Sequence, residues 1–521
     1  MRITNNMMLR NTSTNINGNK INVNDMNNQM SSQKKIQRPS ENPVIAIRSL
    51  RLRSTLSEID QYYENNIPDA ESWMDVTETA LKNMESILKD VRTQCIYGAN
   101  DSLKAEDRQT ILEQLSKLRD QIYAEGNADY ANRTVFTGYR TNQKLTFMEK
   151  DLKTSYEITE DFKYTDIQEY RYYTGEVTIP TTPDEVTGNP VPNPIPNPDE
   201  TVLDRIRLAY GGIDSITDAA GNVLGTNGDT GTINYTGTTN GTMSVTVYDT
   251  YDDWAAANGG EYTVDEDAGA SAVFIKATGE LVLGDTASAE LRANKASLSM
   301  GYKKTGFEKG ELRPEYYFNC TDVTLPTKPI VHTKFDADGK EIYQDINYVV
   351  SSNQTLTVNT QASNVLDESI GRDVDEMIEA VKHAIDANKK VADIKAMQKM
   401  QEYSSDECQA ALENWLTAAK KEADYADDNM QKLYNSYIGN CDGYIEMVNL
   451  ALTDVGSKGA SLELTKNRMS NQQNTIETLK SMNEDRDLSD IIIDYTASYT
   501  AYQASLQAAS KINQNTLLNY L

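Results

Sequence analysis

Apolar residues recur at spacings of three and four near both ends of this 521-residue chain, and this periodicity constrains its fold most strongly. One row runs from Ile45 to Ile87 and a second from Leu56 to Val91, together for about seven heptads. Near the other end a seven-residue repeat consists of Val448, Val455, Leu462, Met469 and Ile476. Rows of this kind are seams along which one long helix packs on another. We therefore predict that the N-terminal and C-terminal helices pack together.

Between these helical ends the composition changes to Thr, Gly, Asp and Tyr. Short alternating runs such as 242–248 (TMSVTVY), separated by turn dipeptides such as Asn240-Gly241, indicate strands and hairpins. We predict an α+β fold, in which the N- and C-terminal helices form a long antiparallel α-helical coiled-coil rod carrying an inserted β-rich outer domain. The predicted boundaries are 43–141 and 366–484 for the rod and 142–365 for the acidic insertion.

Proline and glycine divide these regions further. Pro68 should kink the first long helix because it removes one backbone donor. The residues after Tyr97 should end that helix, and a second helix should run from near Ser102 to Gly126. The stretch 180–198 holds seven of the 13 prolines, so we expect an extended, semi-rigid linker or loop there.

The N-terminal segment has a helical seam but little intrinsic drive to be helical. Leu9, Ile16, Val23 and Met30 fall every seven residues, yet ten of the first 28 residues are asparagine. Asparagine costs a helix roughly 0.5 kcal/mol or more relative to alanine. A frayed tail is one interpretation. The other, which we favour because of the heptad pattern, is a segment that orders only when it docks on a partner.

The last segment of the chain carries a matching seam at spacings of four and three. We predict that the terminal helices, 1–42 and 485–521, are disordered until assembly and then pair, leaving an apolar edge for neighbouring subunits. The predicted assembly interface consists of Leu9, Ile16, Val23, Met30, Leu488, Ile492, Tyr495, Tyr499, Tyr502, Leu506 and Ala509.

The overall charge argues against several classes of partner. A nucleic-acid backbone demands a cationic face, and a chain with a formal net charge of −28 does not resemble a nucleic-acid binder, so we expect no nucleic-acid binding. No uncharged run approaches the roughly 18 apolar residues of a membrane span, so we expect no membrane insertion. The four cysteines are far apart, which favours buried thiols over disulfides or metal ligands. The first residues lack the apolar stretch of a secretory signal.

A search for catalytic constellations gives little. His332 and His383 are the only histidines, and neither belongs to a zinc-binding motif. No nucleophile elbow, phosphate-binding loop or dinucleotide fingerprint is present. Residues 336–341 (DADGKE) are similar to the start of a calcium loop but lack the closing glutamate, so a hairpin turn is favoured. We predict a protein that is not an enzyme and has no cofactor, metal site or catalytic residue.

Several motifs at the two ends resemble those of the flagellin-like family of flagellar axial proteins. At the N-terminal end they are 1–8 (MRITNNMM), 29–36 (QMSSQKKI), 38–43 (RPSENP) and 132–141 (NRTVFTGYRT). At the C-terminal end they are 454–456 (DVG), 467–468 (NR), 484–488 (EDRDL), 502–512 (YQASLQAASKI) and 517–521 (LLNYL). The resemblance covers roughly 1–141 and 445–521, and the insertion has no part in it.

This resemblance implies a structural subunit of the bacterial flagellum that polymerises through its terminal helices and joins hook to filament. Its implied partners are copies of itself, a neighbouring hook-associated protein and flagellin. It also implies export by the flagellar type III apparatus, with an export chaperone and without a cleaved signal peptide. The expected location is therefore the extracellular flagellum.

Two main alternatives, and a third that is less favoured, remain at this point. A bulk filament subunit, a flagellin, is the nearest, although Met7-Met8, 135–139 (VFTGY) and 518–521 (LNYL) favour a junction subunit. The other is a glycan- or surface-binding module in the insertion, where 200–290 contains 15 Asp and Glu against three Lys and Arg. An adhesive coiled coil unrelated to flagella is less favoured still, because such a protein normally carries a cleavable signal or an anchor.

Overall fold

A computed structural model describes residues 5–514 except 101, 102, 104, 189–193, 267 and 268. The predicted helix start at Ser102 and the motif 517–521 lie outside the described residues. Long helices occupy both ends of the chain, as the seams predict. The helices are α1 (Asn5–Ser32), α2 (Pro43–Asp60), α3 (Ile67–Gly98), α4 (Ala105–Gly126), α5 (Pro183–Thr187), α6 (Tyr251–Ala257), α7 (Asp285–Ala293), α8 (Ser369–Met397), α9 (Asp406–Glu484) and α10 (Leu488–Gln514).

The strands lie between α4 and α8, which confirms the α+β class with a β-rich insertion. They are β1 (Asp129–Tyr130), β2 (Arg133–Thr134), β3 (Asp151–Lys163), β4 (Gln168–Thr174), β5 (Asp199–Arg207), β6 (Ser215–Thr217), β7 (Val223–Leu224), β8 (Thr230–Thr236), β9 (Gly241–Tyr248), β10 (Ser271–Ile275), β11 (Glu280–Leu283), β12 (Ser297–Phe307), β13 (Asn319–Asp322), β14 (Ile330–His332), β15 (Asn347–Ser351) and β16 (Gln354–Thr357).

Twelve of these strands form one sheet in the order β14-β13-β3-β12-β8-β9-β10-β11-β5-β4, with β6 on β12 and β7 on β6. The pair β9–β10 is parallel, and the other pairings of this sheet are antiparallel. The main path of the sheet therefore ends at β14 and at β4, and the branch through β6 ends at β7. Residues 336–341 form the turn predicted for them, in which Gly339 has a φ of +75° and its N–H donates to the Asp336 carbonyl at 3.0 Å.

Two compact units are separable within the chain. The terminal unit comprises Met1–Glu71, Asn347–Thr357 and Lys458–Leu521, and the central unit comprises Ser72–Ile346 and Val358–Ser457. The terminal unit has 15 of the chain's 50 Lys and Arg and 14 of its 78 Asp and Glu, whereas the central unit has 35 and 64. The formal net charge is therefore +1 for the terminal unit and −29 for the central unit, which carries all of the chain's net negative charge.

The proline-rich stretch is more firmly held than a linker would be. Val186 in α5 is buried in a cluster with Trp415 and Leu412 of α9, and Ile195 packs against the same cluster. The Trp415 indole N–H donates to the Val186 carbonyl at 3.3 Å. Val186 and Ile195 therefore anchor the described parts of this stretch on the buried cluster.

The proline at position 68 does not break its helix. A π-helical turn, Gln61–Asn66, joins α2 directly to α3, and Pro68 is the second residue of α3. A π-turn shifts the backbone pairing by one residue, which is one way for a helix to accommodate a missing donor. The sequence therefore predicts that the helix is irregular near Pro68, but it does not predict that the irregularity is a π-helical turn.

The cysteines agree with the expectation from composition. Cys95, Cys320, Cys408 and Cys441 are all free and buried. Among the described residues, no helix combines the length and the apolarity that crossing a bilayer would require.

Candidate assembly interface

The two terminal helices, α1 and α10, pack against each other within the terminal unit. On α1 one row of partly buried positions recurs at alternating spacings of four and three, and it consists of Thr12, Ile16, Asn19, Val23, Met26 and Met30. This row contains the predicted Ile16, Val23 and Met30, so the asparagine-rich helix uses its heptad seam against α10. Leu9, by contrast, is 38% exposed.

The predicted residues of α10 divide into two rows. Tyr495, Tyr502 and Ala509 are partly buried, on the side where Ile491 is fully buried. The second row is exposed by 43–48% of each side chain, and we call it the outer stripe: Leu488, Ile492, Tyr499 and Leu506. Its spacing of four, seven and seven keeps it on one side of the helix. The outer stripe is the apolar edge left open after α1 and α10 have paired.

Ile491 was not among the predicted residues, although it is the most deeply buried residue of the described part of α10. Three consecutive isoleucines, 491–493, fit several seam registers, so periodicity alone did not select one of them. The same register places Ser498 and Ser505 on the partly buried side. Because serines add little apolar area, the pairing of α1 with α10 buries little apolar surface. Polar contacts at the start of α10 therefore contribute more to it, and we call their central residue the anchor.

That anchor is Glu484, the last residue of α9. Its carboxylate accepts two hydrogen bonds from Arg53, from Nε at 2.8 Å and from Nη2 at 2.7 Å, and another from the Ser49 hydroxyl. The Lys34 ammonium lies 3.5 Å away. The hydrogen bonds from Arg53 outweigh partial burial and lower the pKa of Glu484 to about 2.

Glu484 and Arg486 also hydrogen-bond to residues of the two terminal helices and of the turn after α1. The Glu484 carbonyl accepts from the Lys35 N–H at 2.7 Å, and the Arg486 N–H donates to the Gln33 carbonyl at 3.0 Å. The Arg486 guanidinium donates to Gln29 Oε1 at 2.6 Å and pairs with Asp494 of α10. We call this set, Lys34, Ser49, Arg53, Glu484 and Arg486, the clasp. It fixes where α1 ends and α10 begins.

The sequence identifies 29–36 and 484–488 as motifs shared with a family, and of their residues only Met30 and Leu488 were predicted to have a role. The sequence does contain a sign of their pairing. Lys34-Lys35 and Glu484-Asp485 are short blocks of opposite charge beside predicted helix ends. In a chain with 128 charged residues such blocks are too common to be paired from sequence alone.

Replacing Glu484 with glutamine should loosen the clasp by about 1–2 kcal/mol, after a discount because Arg53 is largely exposed. The folded pKa lies below the usual 4.5, so the stabilisation is present above about pH 4.5 and is lost as pH falls towards 2. We expect faster amide hydrogen exchange in α1 and α10 of the variant at pH 7. When each rate is divided by the intrinsic exchange rate at that pH, the protection of α1 and α10 should fall in the wild type as the pH is lowered towards 2, and it should change less in the variant. Glu477→Gln, an exposed position on the same helix, is the control and should exchange like wild type.

The two histidines occupy different environments within the central unit. His332 lines a cavity of about 760 Å³, and its Nδ1 accepts a hydrogen bond from Arg140. Burial and the Arg140 charge lower the pKa of His332. His383 instead lies beside the Tyr173 ring, with centroids 6.2 Å apart. Within the described ranges, no group of three or more His, Cys, Asp or Glu side chains could hold a metal ion.

Comparison with known proteins matches the ends of the chain. Residues 3–141 match the bacterial flagellin N-terminal helical region, and residues 438–521 match the bacterial flagellin C-terminal helical region. Flagellar hook-associated protein 3 of Salmonella typhimurium is 25% identical over 142 residues, which are 27% of this chain and 44% of that protein. A flagellin of Clostridium tyrobutyricum is 29% identical over 122 residues, 23% of this chain and 32% of that protein. The matches span less than half the length of either curated relative.

The solved structure of flagellar hook-associated protein 3 from Legionella pneumophila aligns with 83% of this chain and 98% of that chain, at 12% identity. Its TM-score of 0.29 is too low for the two overall folds to be superposed. The relationship to known proteins therefore rests on the two terminal regions, which are also the regions that form α1, α10 and the clasp.

Proposed function

We propose that this chain, which belongs to the flagellin-like family of flagellar axial proteins, is a structural subunit that joins the hook of a bacterial flagellum to its filament. The observation that carries the proposal is the outer stripe. In the paired helices four large apolar side chains lie half exposed in one row, and their contact with water is unfavourable in free energy. Contact with neighbouring subunits removes that cost.

The terminal helices are the polymerising elements in this proposal. The assembly interface comprises the predicted residues of α1 and α10, with the outer stripe turned towards neighbours. Residues 1–42 and 485–521 order fully only on assembly, because an asparagine-rich α1 and a serine-containing seam give weak pairing. Ordering costs about 1–2 kcal/mol per residue, which the shared apolar burial of a polymer offsets.

The remaining assignments follow from the same role. The chain works as a structural component rather than an enzyme, with copies of itself, a hook-associated protein and flagellin as neighbours. Its route is the flagellar type III export apparatus with a chaperone and without a cleaved signal, and its place is the extracellular flagellum. The rod of 43–141 and 366–484 supports the insertion 142–365 on its outside.

Deleting 488–521 tests the proposal. The truncated chain should keep the helices and sheet of the central unit, measured by far-UV circular dichroism, because the buried clusters there involve no residue of α10. It should not be incorporated into flagella isolated from cells lacking the wild-type chain. Incorporation at the wild-type level would contradict the proposal.

A bulk filament subunit is the second candidate, favoured by the similarity to a clostridial flagellin. The two functions differ in the number of copies on each flagellum. Immunogold labelling of isolated flagella should mark a short zone at the hook end for a junction subunit. Labelling along the whole filament would assign the chain to the flagellins instead.

A further inference from the structure

Helix α2 has an outward face that combines aliphatic and cationic side chains. Val44, Ile47, Arg48 and Arg51 follow the i, i+3, i+4, i+7 spacing of one helix face. Val44 is 69% exposed and Ile47 is 54% exposed, and Leu50 beside them is 65% exposed. The opposite side of α2 is the packed one, with Ala46, Leu56 and Ile59 buried. We call the four-residue outward row the α2 face.

The arginines of the α2 face differ from the other cation of this helix. Arg53 is held by Glu484 in the clasp. Within the part of the chain that the structure describes, no carboxylate forms an ion pair with Arg48 or Arg51. Two guanidiniums without a carboxylate partner, set among exposed aliphatic side chains, are typical of a protein–protein interface, where arginine is enriched. The guanidinium is weakly hydrated, so its transfer from water into an interface costs little free energy.

A complementary face lies on the part of α9 that belongs to the central unit. Glu446, Leu450 and Asp454 are spaced by four residues, so they form one row, and all three are exposed. Leu450 is 65% exposed, with one carboxylate a turn before it and one a turn after it. We call this row the α9 face. It offers an aliphatic centre between anionic flanks, where the α2 face offers aliphatic side chains beside cationic ones.

We propose that the α2 face of one copy docks on the α9 face of a second copy. The inference rests on the self-assembly in the proposed function and names the surfaces that make one of its contacts. Opposite charge selects the partner, because the central unit has 64 Asp and Glu against 35 Lys and Arg, whereas both charged residues of the α2 face are cationic.

This contact is heterologous, since the two faces are different surfaces of the same chain. A contact of that type does not close on itself in a two-fold dimer, and it propagates from copy to copy into a ring or an open array. Leu450 inserted beside Ile47 supplies apolar burial, and Arg48 and Arg51 facing Glu446 and Asp454 fix the register and orientation.

Charge exchange tests the proposal in the full-length chain. Arg48→Glu with Arg51→Glu, or Glu446→Lys with Asp454→Lys, should each lower incorporation into isolated flagella by about tenfold or more. The quadruple variant restores opposite charges across the contact and should recover most of the loss. Lys399→Glu with Lys420→Glu changes the net charge as the first pair does, at exposed sites away from both faces, and should behave like wild type.

Two outcomes would overturn the docking proposal: wild-type incorporation of either double variant, or a quadruple variant no better than the doubles. All variants alter exposed side chains, and equal circular dichroism spectra exclude misfolding as the cause. The deletion of 488–521 separates this proposal from the proposed function. If that deletion blocks incorporation while the charge variants have no effect, the subunit assembles through other contacts.

A cross-link gives an independent measurement. Ile47→Cys combined with Leu450→Cys should form disulfides between copies when assembled flagella are treated with copper–phenanthroline, which oxidises the two thiols with loss of two protons and two electrons. Denaturing gels should then show a ladder of multiples of the chain. Each single variant should remain monomeric, because the four native cysteines are buried. A double variant without a ladder refutes the contact.

Discussion

Replacing Glu376 with alanine should lower the free energy of unfolding of the central unit by about 3–5 kcal/mol. Glu376 lies on α8, where its carboxylate accepts hydrogen bonds from Arg205 at 2.8 and 2.9 Å. It is also 3.0 Å from the Arg207 guanidinium and accepts from the Tyr437 hydroxyl of α9. The variant would leave two guanidiniums of β5, each exposed by less than 5%, short of a counter-charge.

The surrounding groups explain why the effect should be large. Arg205 also pairs with Glu280 at 2.8 Å, and Arg207 pairs with Asp373. Asp373 in turn accepts from Asn440 at 2.9 Å and from the Tyr444 hydroxyl at 2.6 Å. This network joins the sheet to α8 and α9. Removing one member of a buried network leaves the others desolvated without a partner, which costs more than the lost contact itself.

The pH dependence of this network has a definite sign. Burial alone would raise the pKa of Glu376, but the Arg205 and Arg207 charges outweigh it and hold the pKa well below its usual range. The network's contribution is therefore present above about pH 4.5 and is lost as the solution becomes more acidic. Glu376→Ala should remove this acid sensitivity along with the stability.

Urea unfolding followed by tyrosine and tryptophan fluorescence measures the effect, since Trp254 and Trp415 are both buried in the central unit. The matched control is Glu379→Ala on the same helix. Glu379 pairs with Lys382 at 2.8 Å but is 71% exposed, so its loss should change the free energy by about 0.5 kcal/mol or less. Equal midpoints for the two variants would show that the buried network contributes no more than a surface ion pair.

Periodicity predicted the parts of this fold that depend on apolar spacing. The seam of Val448, Val455, Leu462 and Met469 is buried in α9, and the end of α3 falls at Gly98 in the predicted turn. The prediction did not extend to the length of α9, which continues from Asp406 to Glu484 without a break. Glycines at 439, 443, 456 and 459 lower helix propensity locally, and packing in a long helix overrides that preference.

The polar contacts could not be predicted, because the residues that pair are far apart in the sequence. Arg205 and Glu376 are 171 residues apart, and Arg53 and Glu484 are 431 apart. Carboxylates are so frequent in this chain that pairing each arginine with the right one requires the fold. The same limitation applies to the outer stripe, since its spacing identified an apolar edge of α10 but did not show which row α1 covers.

Changing the outer stripe to serine, at Leu488, Ile492, Tyr499 and Leu506 together, should reduce incorporation into flagella roughly a thousandfold. Each side chain is already about half covered, so full burial in an assembly is worth about 1 kcal/mol apiece, or about 4 kcal/mol in all. These positions lie beside the partly buried row of α10 rather than in it, so Tyr495 and Tyr502 stay in place, although Tyr495 loses the stacked Tyr499 ring, whose centroid is 6.0 Å away. The immunoblot signal of the chain in isolated flagella, relative to flagellin, measures incorporation.

The control for this variant removes the same number of exposed apolar side chains from the central unit. Met148, Leu152, Val223 and Leu325 are each at least 55% exposed, and changing all four to serine should leave incorporation unchanged. If both variants lost incorporation equally, general exposure of apolar groups would explain the effect. If only the stripe variant fails, and the clasp still protects α1 and α10 from hydrogen exchange, then the loss lies between subunits. The row that α1 leaves uncovered would then be the surface on which the assembly depends.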